Sequence, residues 1–254
     1  MRLYMPTKVF FGSGCVSENG AELKALGSRA MIVTGKHSSR INGSLAAVEQ
    51  ALQANGQTYV IFDEIEENPS VETVAVAAGI AVKEQVDFFV AVGGGSPMDV
   101  AKAVGVTAKY GGSITEYEGA HKVPGPIIPL IAIPTTAGTG SEVTAFSVIT
   151  DHSRDYKLTV FSYEILPAYA ILDAELLTTA PASVAAACGI DAFIHAEEAY
   201  ISTAASPFSD AMAEKAMSLI GKNIRRFVAN RGDIEAAEAM LVGSLFAGIA
   251  FSFA

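Results

Sequence analysis

The amino-acid sequence predicts an α/β domain with a parallel, Rossmann-like sheet, followed by an all-α domain. Short apolar segments alternate with helical segments through residues 1–180, and this alternation is typical of a parallel sheet with helices on both faces. From residue 181 to residue 254 the sequence shows no strand-like segment and is rich in Ala, Glu, Met and Leu. We therefore place a domain boundary near residue 180.

The predicted strands are short apolar or β-branched runs that end in turn-forming residues. They lie at residues 29–33, 58–62, 88–92, 127–133 and 169–172. Helices are predicted between them at 44–54, 71–84 and 97–107, and in the second domain at 182–203, 207–228 and 233–254. Ser70 offers an N-cap to one helix, and Pro97 suits the start of another.

Composition and charge bound the class of protein. Half of the 254 residues are hydrophobic and the net charge is −10, so a large core is possible and nucleic acid is not an expected partner. Cys15 and Cys188 show no disulfide-framework spacing, which favours a reducing, cytoplasmic compartment. We expect no membrane partner, because the N-terminus lacks a signal-peptide core and no uninterrupted apolar run reaches membrane-spanning length.

A glycine turn follows the strand at 88–92. Gly94, Gly95 and Ser96 precede a helix that carries Asp99. Glycines let the backbone approach a pyrophosphate closely, and the free N–H groups at a helix start attract phosphate oxygens. A tight turn that needs positive φ angles would explain the same residues. The order strand, glycine turn, helix favours phosphate binding, although the pattern is not G-x-G-x-x-G.

A second loop, residues 134–143, follows the predicted strand at 127–133 and interleaves hydroxyl residues with glycine. Thr135, Thr136 and Thr139 could face a ribose or a nicotinamide, but a solvated Gly/Thr turn is equally consistent with the pattern. Because both loops follow buried strands, we expect them to share one ligand cleft at the carboxyl edge of the sheet.

Asp191 and His195 lie four residues apart on a predicted helix, so they share one face and could bind the same divalent ion. Taken alone, this spacing favours a surface Asp–His pair, because two ligands do not complete a metal site. His37, His121 and His152 are interpreted as surface residues. The chain stops inside an apolar helical pattern at residues 250–254, from which we expect either a fragment or a docked final helix.

Together these motifs resemble the iron-containing (group III) alcohol dehydrogenases of the dehydroquinate-synthase-like superfamily. The resemblance runs over essentially all 254 residues. It rests on residues 6–14, 93–99, 134–143 and 189–200.

The resemblance implies a dinucleotide-binding domain at residues 1–180 and the start of a helical metal and substrate domain at 181–254. Gly94, Gly95, Ser96 and Asp99 would hold the pyrophosphate region, Thr135, Thr136 and Thr139 would line the nicotinamide and ribose, and Lys157 would lie near the ribose. Asp191 and His195 would be the first two of the family's four metal ligands. The other two are histidines beyond residue 254, so we expect the second domain to be incomplete and metal binding to be weak.

Cofactor choice is predicted from Gly35 and Lys36, which occupy the place where NAD-preferring relatives often carry Asp. The missing carboxylate and the added Lys favour NADP over NAD, although a solvated Lys36 would let both bind. Ser38 and Ser39 could assist.

The resemblance implies hydride transfer between NAD(P)(H) and a small alcohol or aldehyde, with Fe²⁺ or Zn²⁺ as Lewis acid. No catalytic residue beyond the metal site is assigned. Family members often form homodimers through their N-terminal strands. Two alternatives stay open: a zinc polyol dehydrogenase of the glycerol dehydrogenase type, and an inactive NADP-binding fragment.

Overall fold

A computed structural model describes residues 4–254, and its centre is a six-stranded, all-parallel sheet. Apolar and β-branched side chains form these strands, and those of the inner strands are buried on both faces, as in other parallel sheets. In chain order the strands of the molecule are β1 (Lys8–Phe11), β2 (Arg29–Gly35), β3 (Thr58–Ile65), β4 (Phe88–Gly93), β5 (Gly119–Ala120), β6 (Leu130–Pro134), β7 (Phe146–Asp151), β8 (Tyr156–Phe161) and β9 (Tyr169–Leu172). The six-stranded sheet has the order β1-β9-β6-β4-β2-β3.

Helices connect the strands and then form the last third of the chain. They are α1 (Cys15–Glu18), α2 (Ser38–Ile41), α3 (Ser44–Ala54), α4 (Val71–Lys83), α5 (Gly95–Tyr110), α6 (Ala182–Ile201), α7 (Pro207–Ala229) and α8 (Ile234–Ser252). Short 3₁₀ helices lie at Gly20–Ala25, Ile114–Tyr117, Tyr163–Ile165 and Ala174–Leu177. The predicted fold class, a parallel α/β sheet followed by helices, is confirmed.

Several predicted ends differ from the structure, and two predicted starts are wrong by two or three residues. The strand predicted from residue 127 begins at Leu130, because Pro129 has no N–H to donate to a ladder and only its carbonyl is used, by Phe89. The helix predicted from Pro97 begins at Gly95. Proline is tolerated inside the first turn of a helix, where N–H groups have no intrahelical partner.

A second sheet was not predicted from the sequence. Strands β7 and β8 form an antiparallel hairpin, and β5 pairs with β8, giving the order β5-β8-β7. The turn between β7 and β8 includes Asp155, whose φ of 48° is left-handed. Burial alternates along β7: Ser147, Ile149 and Asp151 are buried, whereas Phe146, Val148 and Thr150 are not and line a cavity. The hairpin also packs on α5.

Helices α6, α7 and α8 pack on one another and on the carboxyl side of the sheet through a core rich in alanine. Helix α8 is apolar apart from Glu235 and Glu238 near its start, which is typical of a core helix. Contrary to the sequence expectation, α8 is long and apolar enough to cross a membrane. Most of it is nevertheless buried inside the protein, which is the environment of a core helix.

Candidate functional site

A cavity of about 530 Å³ opens at the carboxyl edge of the sheet, beyond the ends of β4 and β6. Its walls come from the start of α5, the loop after β6, the β7–β8 hairpin, α6 and α8. Seven residues singled out in the sequence line it: Gly95, Ser96, Asp99, Thr139, Lys157, Asp191 and His195. The cleft predicted from the two loops is therefore present.

The first loop, residues 93–96, touches the second loop, residues 134–143. A Cβ atom added to Gly95 would lie 2.7 Å from Cγ2 of Thr139, and one added to Gly94 would lie 3.1 Å from Oγ1 of Thr136. The N–H of Thr135 also donates to the carbonyl of Gly93, at 2.8 Å. The glycines thus permit close contact between the loops, and Gly95 leaves the start of α5 accessible from the cavity.

Glycines of the second loop serve a purpose that the sequence did not reveal. A Cβ on Gly138 would lie 2.9 Å from Cβ of Cys188 on α6, and a Cβ on Gly140 would lie 2.8 Å from Cα of Gly248 on α8. The second loop is therefore packed between α5 on one side and α6 and α8 on the other.

Five of the proposed cofactor residues lie outside the cavity wall. Thr135 and Thr136 border a separate, small void beside Cys188, and the pKa of the Cys188 thiol is raised by burial. Gly94 touches Thr136 instead of the cavity. Gly35 and Lys36 lie at the end of β2, and nothing approaches the position of a Cβ on Gly35 within 4 Å.

Asp99 is held by protein groups. Its Oδ1 accepts a hydrogen bond from Oγ of Ser141 at 2.7 Å, and its Oδ2 accepts one from the N–H of Val148 at 3.1 Å. Burial raises the pKa of this carboxyl, while Lys102 opposes the rise. A carboxylate repels a pyrophosphate, so these bonds indicate that Asp99 shapes the cavity wall more than it holds phosphate.

Two buried ionisable residues behind the cavity wall were not predicted from the sequence. Lys102 is fully buried on α5, and Glu142 is buried in the second loop. Among the described residues no group bonds to Oε1 of Glu142. Burial lowers the pKa of Lys102 to about 8 and raises the pKa of Glu142 to about 7. The signal for Lys102 was available, because the residues around it on α5 are apolar apart from Asp99, one turn earlier.

The mouth of the cavity is bridged by Lys157 on β8. Its Nζ lies 2.7 Å from Oδ1 of Asn68, in the turn before α4, and the N–H of Thr150 donates to the carbonyl of Pro69 at 2.8 Å. The hairpin is thereby tied to the main sheet, and Lys157 remains exposed at the opening.

Asp191 and His195 share one face of α6, as predicted. Oδ1 of Asp191 lies 3.8 Å from Nε2 of His195, and their side chains are 47% and 25% exposed. The ring of Phe251 lies 5.1 Å from the imidazole ring, centroid to centroid. Within residues 4–254 no group of three or more potential ligands forms. The pair fits part of a divalent-metal site, since both atoms could reach one ion. His37, His121 and His152 are exposed, as expected.

Comparisons with known proteins agree along nearly the whole chain. Residues 6–174 match the family model described as iron-containing alcohol dehydrogenase, and residues 185–254 match the C-terminal model of the same family. The chain is 40% identical over 252 residues to an NAD-dependent methanol dehydrogenase from Bacillus methanolicus, covering 98% of this chain and 65% of that protein. It is 38% identical to a 1,3-propanediol dehydrogenase from Klebsiella pneumoniae, again covering 65% of it.

Solved structures give the same result. An iron-containing alcohol dehydrogenase from Thermotoga maritima superposes with a TM-score of 0.93 at 40% identity, covering 99% of this chain and 69% of that one. A sulfoacetaldehyde reductase from Bifidobacterium kashiwanohense, solved with NAD⁺, superposes with a TM-score of 0.89 at 34% identity, covering 99% of this chain and 67% of that one. The chain thus spans about two thirds of the length of the relatives it matches.

Proposed function

The chain belongs to the iron-containing alcohol dehydrogenase family, and from that membership we propose that it binds a nicotinamide dinucleotide for reversible hydride transfer to or from a small alcohol or aldehyde. One observation carries the proposal. A single cavity brings the glycine turn at the start of α5 together with the Asp191–His195 pair, although nearly 100 residues separate them in sequence.

The first loop suits a pyrophosphate. The cavity reaches Gly95 and Ser96 at the start of α5, a helix of 16 residues. The positive end of the helix dipole and the unpaired N–H groups of its first turn attract phosphate oxygens, and Ser96 adds a hydroxyl. Lys157 at the cavity mouth supplies a positive charge for the ribose and phosphate side.

Asp191 and His195 would contribute two ligands to a divalent ion, Fe²⁺ by analogy with the family. When bound, such an ion supplies Lewis-acid polarisation of the substrate oxygen. Within residues 4–254 the two residues provide only part of a ligand set, so weak metal binding is proposed for this chain. Asp191 and His195 would also orient the alcohol oxygen toward the nicotinamide side of the cavity.

The substrate is proposed to be small and uncharged. Phe146 and Phe251 line the cavity close to His195, and their ring centroids are 5.7 Å apart. An apolar wall beside the metal pair excludes water and favours an alkyl chain over an ionic group.

For the cofactor we propose NADP(H) in preference to NAD(H), on the charge argument at Gly35 and Lys36. NAD(H) is the alternative cofactor, because one relative is named as NAD-dependent and another was solved with NAD⁺.

A homodimer is proposed through β1, the edge strand of the main sheet. Among the described strands β1 pairs only with β9. Val9 and Phe11 on it are exposed, and an apolar strand edge of this kind is prone to pair with a second copy. Cytoplasmic residence is proposed because Cys15 and Cys188 are both free.

The test is a titration of the purified chain with NADPH and NADH, followed by aldehyde reduction after anaerobic loading with Fe²⁺. The chain has no tryptophan, so reduced-nicotinamide fluorescence is read without indole background. We expect saturable NADPH binding, and Fe²⁺ binding that Asp191→Ala weakens.

Glu197→Gln, an exposed change on the same helix but away from the Asp191–His195 face, is the matched control and should leave both affinities unchanged. A chain that binds neither dinucleotide would contradict the proposal. Binding without turnover on any aldehyde would leave a dinucleotide-binding unit and remove the enzymatic part.

A further inference from the structure

Lys102 directs its ammonium group into one short segment of the cavity wall. Its Nζ lies 2.9 Å from Oγ of Ser141, 2.8 Å from the carbonyl oxygen of Thr144 and 2.8 Å from the carbonyl oxygen of Phe146. An ammonium group has three donors, so these three bonds use all of them. The partners lie within residues 141–146, which lead from the second loop into β7.

These partners face the cavity on their other side. Ser141, Thr144 and Phe146 line it, whereas Lys102 is not among the described residues that do. The side chain of Lys102 is fully buried. Lys102 therefore supports the wall from behind and touches nothing that the cavity would hold.

Asp99, one turn earlier on α5, forms hydrogen bonds with residues 141–148. Oγ of Ser141 accepts from Lys102 and donates to Asp99, so it links the two charges. The hydroxyl of Ser147 donates to the carbonyl of Asp99 at 2.8 Å. One turn of α5 thus fixes the path of residues 141–148 at several points.

Opposing effects determine the pKa of Lys102. Burial disfavours the ammonium form of Lys102, while Asp99 on α5 and Glu142 in the second loop favour it. The net result is a pKa of about 8 for Lys102. The ammonium form therefore prevails near neutral pH, and the neutral amine replaces it at more alkaline pH.

We propose that Lys102 is a positioning residue of the dehydrogenase, holding residues 141–146 in the shape that the bound dinucleotide requires. This role rests on the proposed function, because it takes the cavity to be the cofactor site. Lys102 acts through Ser141, Thr144 and Phe146, and contacts neither cofactor nor substrate.

A pH dependence distinguishes this role from simple stabilisation. A neutral amine keeps only two N–H donors, so one acceptor in residues 141–146 loses its partner when Lys102 loses its proton. The affinity of the wild-type chain for NADPH should then fall between about pH 7 and about pH 9. A residue that only stabilised the fold would not impose that dependence on cofactor binding.

The experiment compares wild type, Lys102→Met and Lys109→Met by NADPH fluorescence titration at both pH values. Lys109 lies on the same helix and is exposed, so its replacement is the matched control. Hydrogen exchange of residues 141–148, without cofactor, reports on the wall itself. We expect Lys102→Met to bind NADPH at least about tenfold more weakly near pH 7, without the alkaline fall, and to exchange faster in residues 141–148.

Lys109→Met should match the wild type in every readout. Ser141→Ala removes one of the three partners and serves if Lys102→Met does not fold, with a smaller loss of affinity in the same direction. Wild-type affinity in Lys102→Met, or an unchanged alkaline fall, overturns the role of Lys102. A wild-type chain that binds neither NADPH nor NADH overturns the proposed function and this role together.

Discussion

Gly35, with Lys36, is the residue on which the proposed preference for NADPH over NADH rests. It ends β2, pairs with Ile65 of β3, and leaves open space where a side chain would begin. Its backbone φ is not left-handed, so a side chain is tolerated there without strain. Charge alone is therefore expected to decide the outcome of a substitution at this position.

Gly35→Asp should reverse the proposed preference for NADPH. The new carboxylate would repel a 2′-phosphate and accept a hydrogen bond from a 2′-hydroxyl, so the ratio of NADPH to NADH affinity should fall at least about tenfold. Parallel fluorescence titrations measure that ratio. Gly35→Asn, similar in size but uncharged, should change it much less. An equal effect of both variants would assign the preference to shape instead of charge.

At the scale of elements, the second loop contacts three helices, α5, α6 and α8. It contacts the start of α5 through Thr136 and Thr139, and helices α6 and α8 through Gly138 and Gly140. At the last of these contacts two backbones meet without an intervening side chain. Such contacts cannot relax by a change of rotamer, because only backbone atoms are present.

Gly248→Ala should therefore destabilise the fold by about 1–3 kcal/mol through overpacking. Its Cβ would lie 2.9 Å from the carbonyl oxygen of Gly140 and 3.0 Å from Cα of the same residue. Urea unfolding followed by circular dichroism measures the change. Gly221→Ala on α7, where the added Cβ would meet nothing closer than 4.0 Å, should stabilise by up to about 1 kcal/mol. Equal midpoints for wild type and Gly248→Ala would refute the close-contact explanation.

At the scale of the whole molecule, buried charge makes stability depend on pH in two opposite ways. Hydrogen bonds from Ser28 and Arg29 lower the pKa of Asp87 despite its burial. Its contribution is present at higher pH and is lost as pH falls through the lowered value. Glu142 behaves in the opposite sense, because burial raises its pKa from 4.5 to about 7. Its contribution is complete below pH 4.5 and disappears as pH rises to about 7.

Glu142→Gln should accordingly be more stable than the wild type at pH values above 7, and this advantage should shrink toward acid pH. The amide keeps the size of the side chain but removes the cost of ionising a buried carboxyl. Melting temperatures at about pH 5 and about pH 8 measure the difference. Glu198→Gln, at an exposed position, should follow the wild type. A difference between wild type and Glu142→Gln that stays constant across pH would show that Glu142 does not titrate in this range.

The sequence predicted the fold class because the inner strands are continuous apolar runs and their ends carry glycine. It did not predict the β7–β8 hairpin. Polar residues such as Lys157 interrupt the apolar pattern of these strands, so the strands were not recognised. The cleft was predicted from the order of strands and loops, since the carboxyl ends of parallel strands meet at one edge. The buried contacts behind the cleft were not predicted. Lys102 and Glu142 are buried by contacts between segments that are distant in the sequence, and a local sequence pattern does not show such contacts.

The backbone contact between Gly140 and Gly248 limits which substitutions the two positions can accept. A larger residue on either side needs space that its partner, already a glycine, cannot give up. Compensating exchanges between the two residues are therefore closed at this crossing.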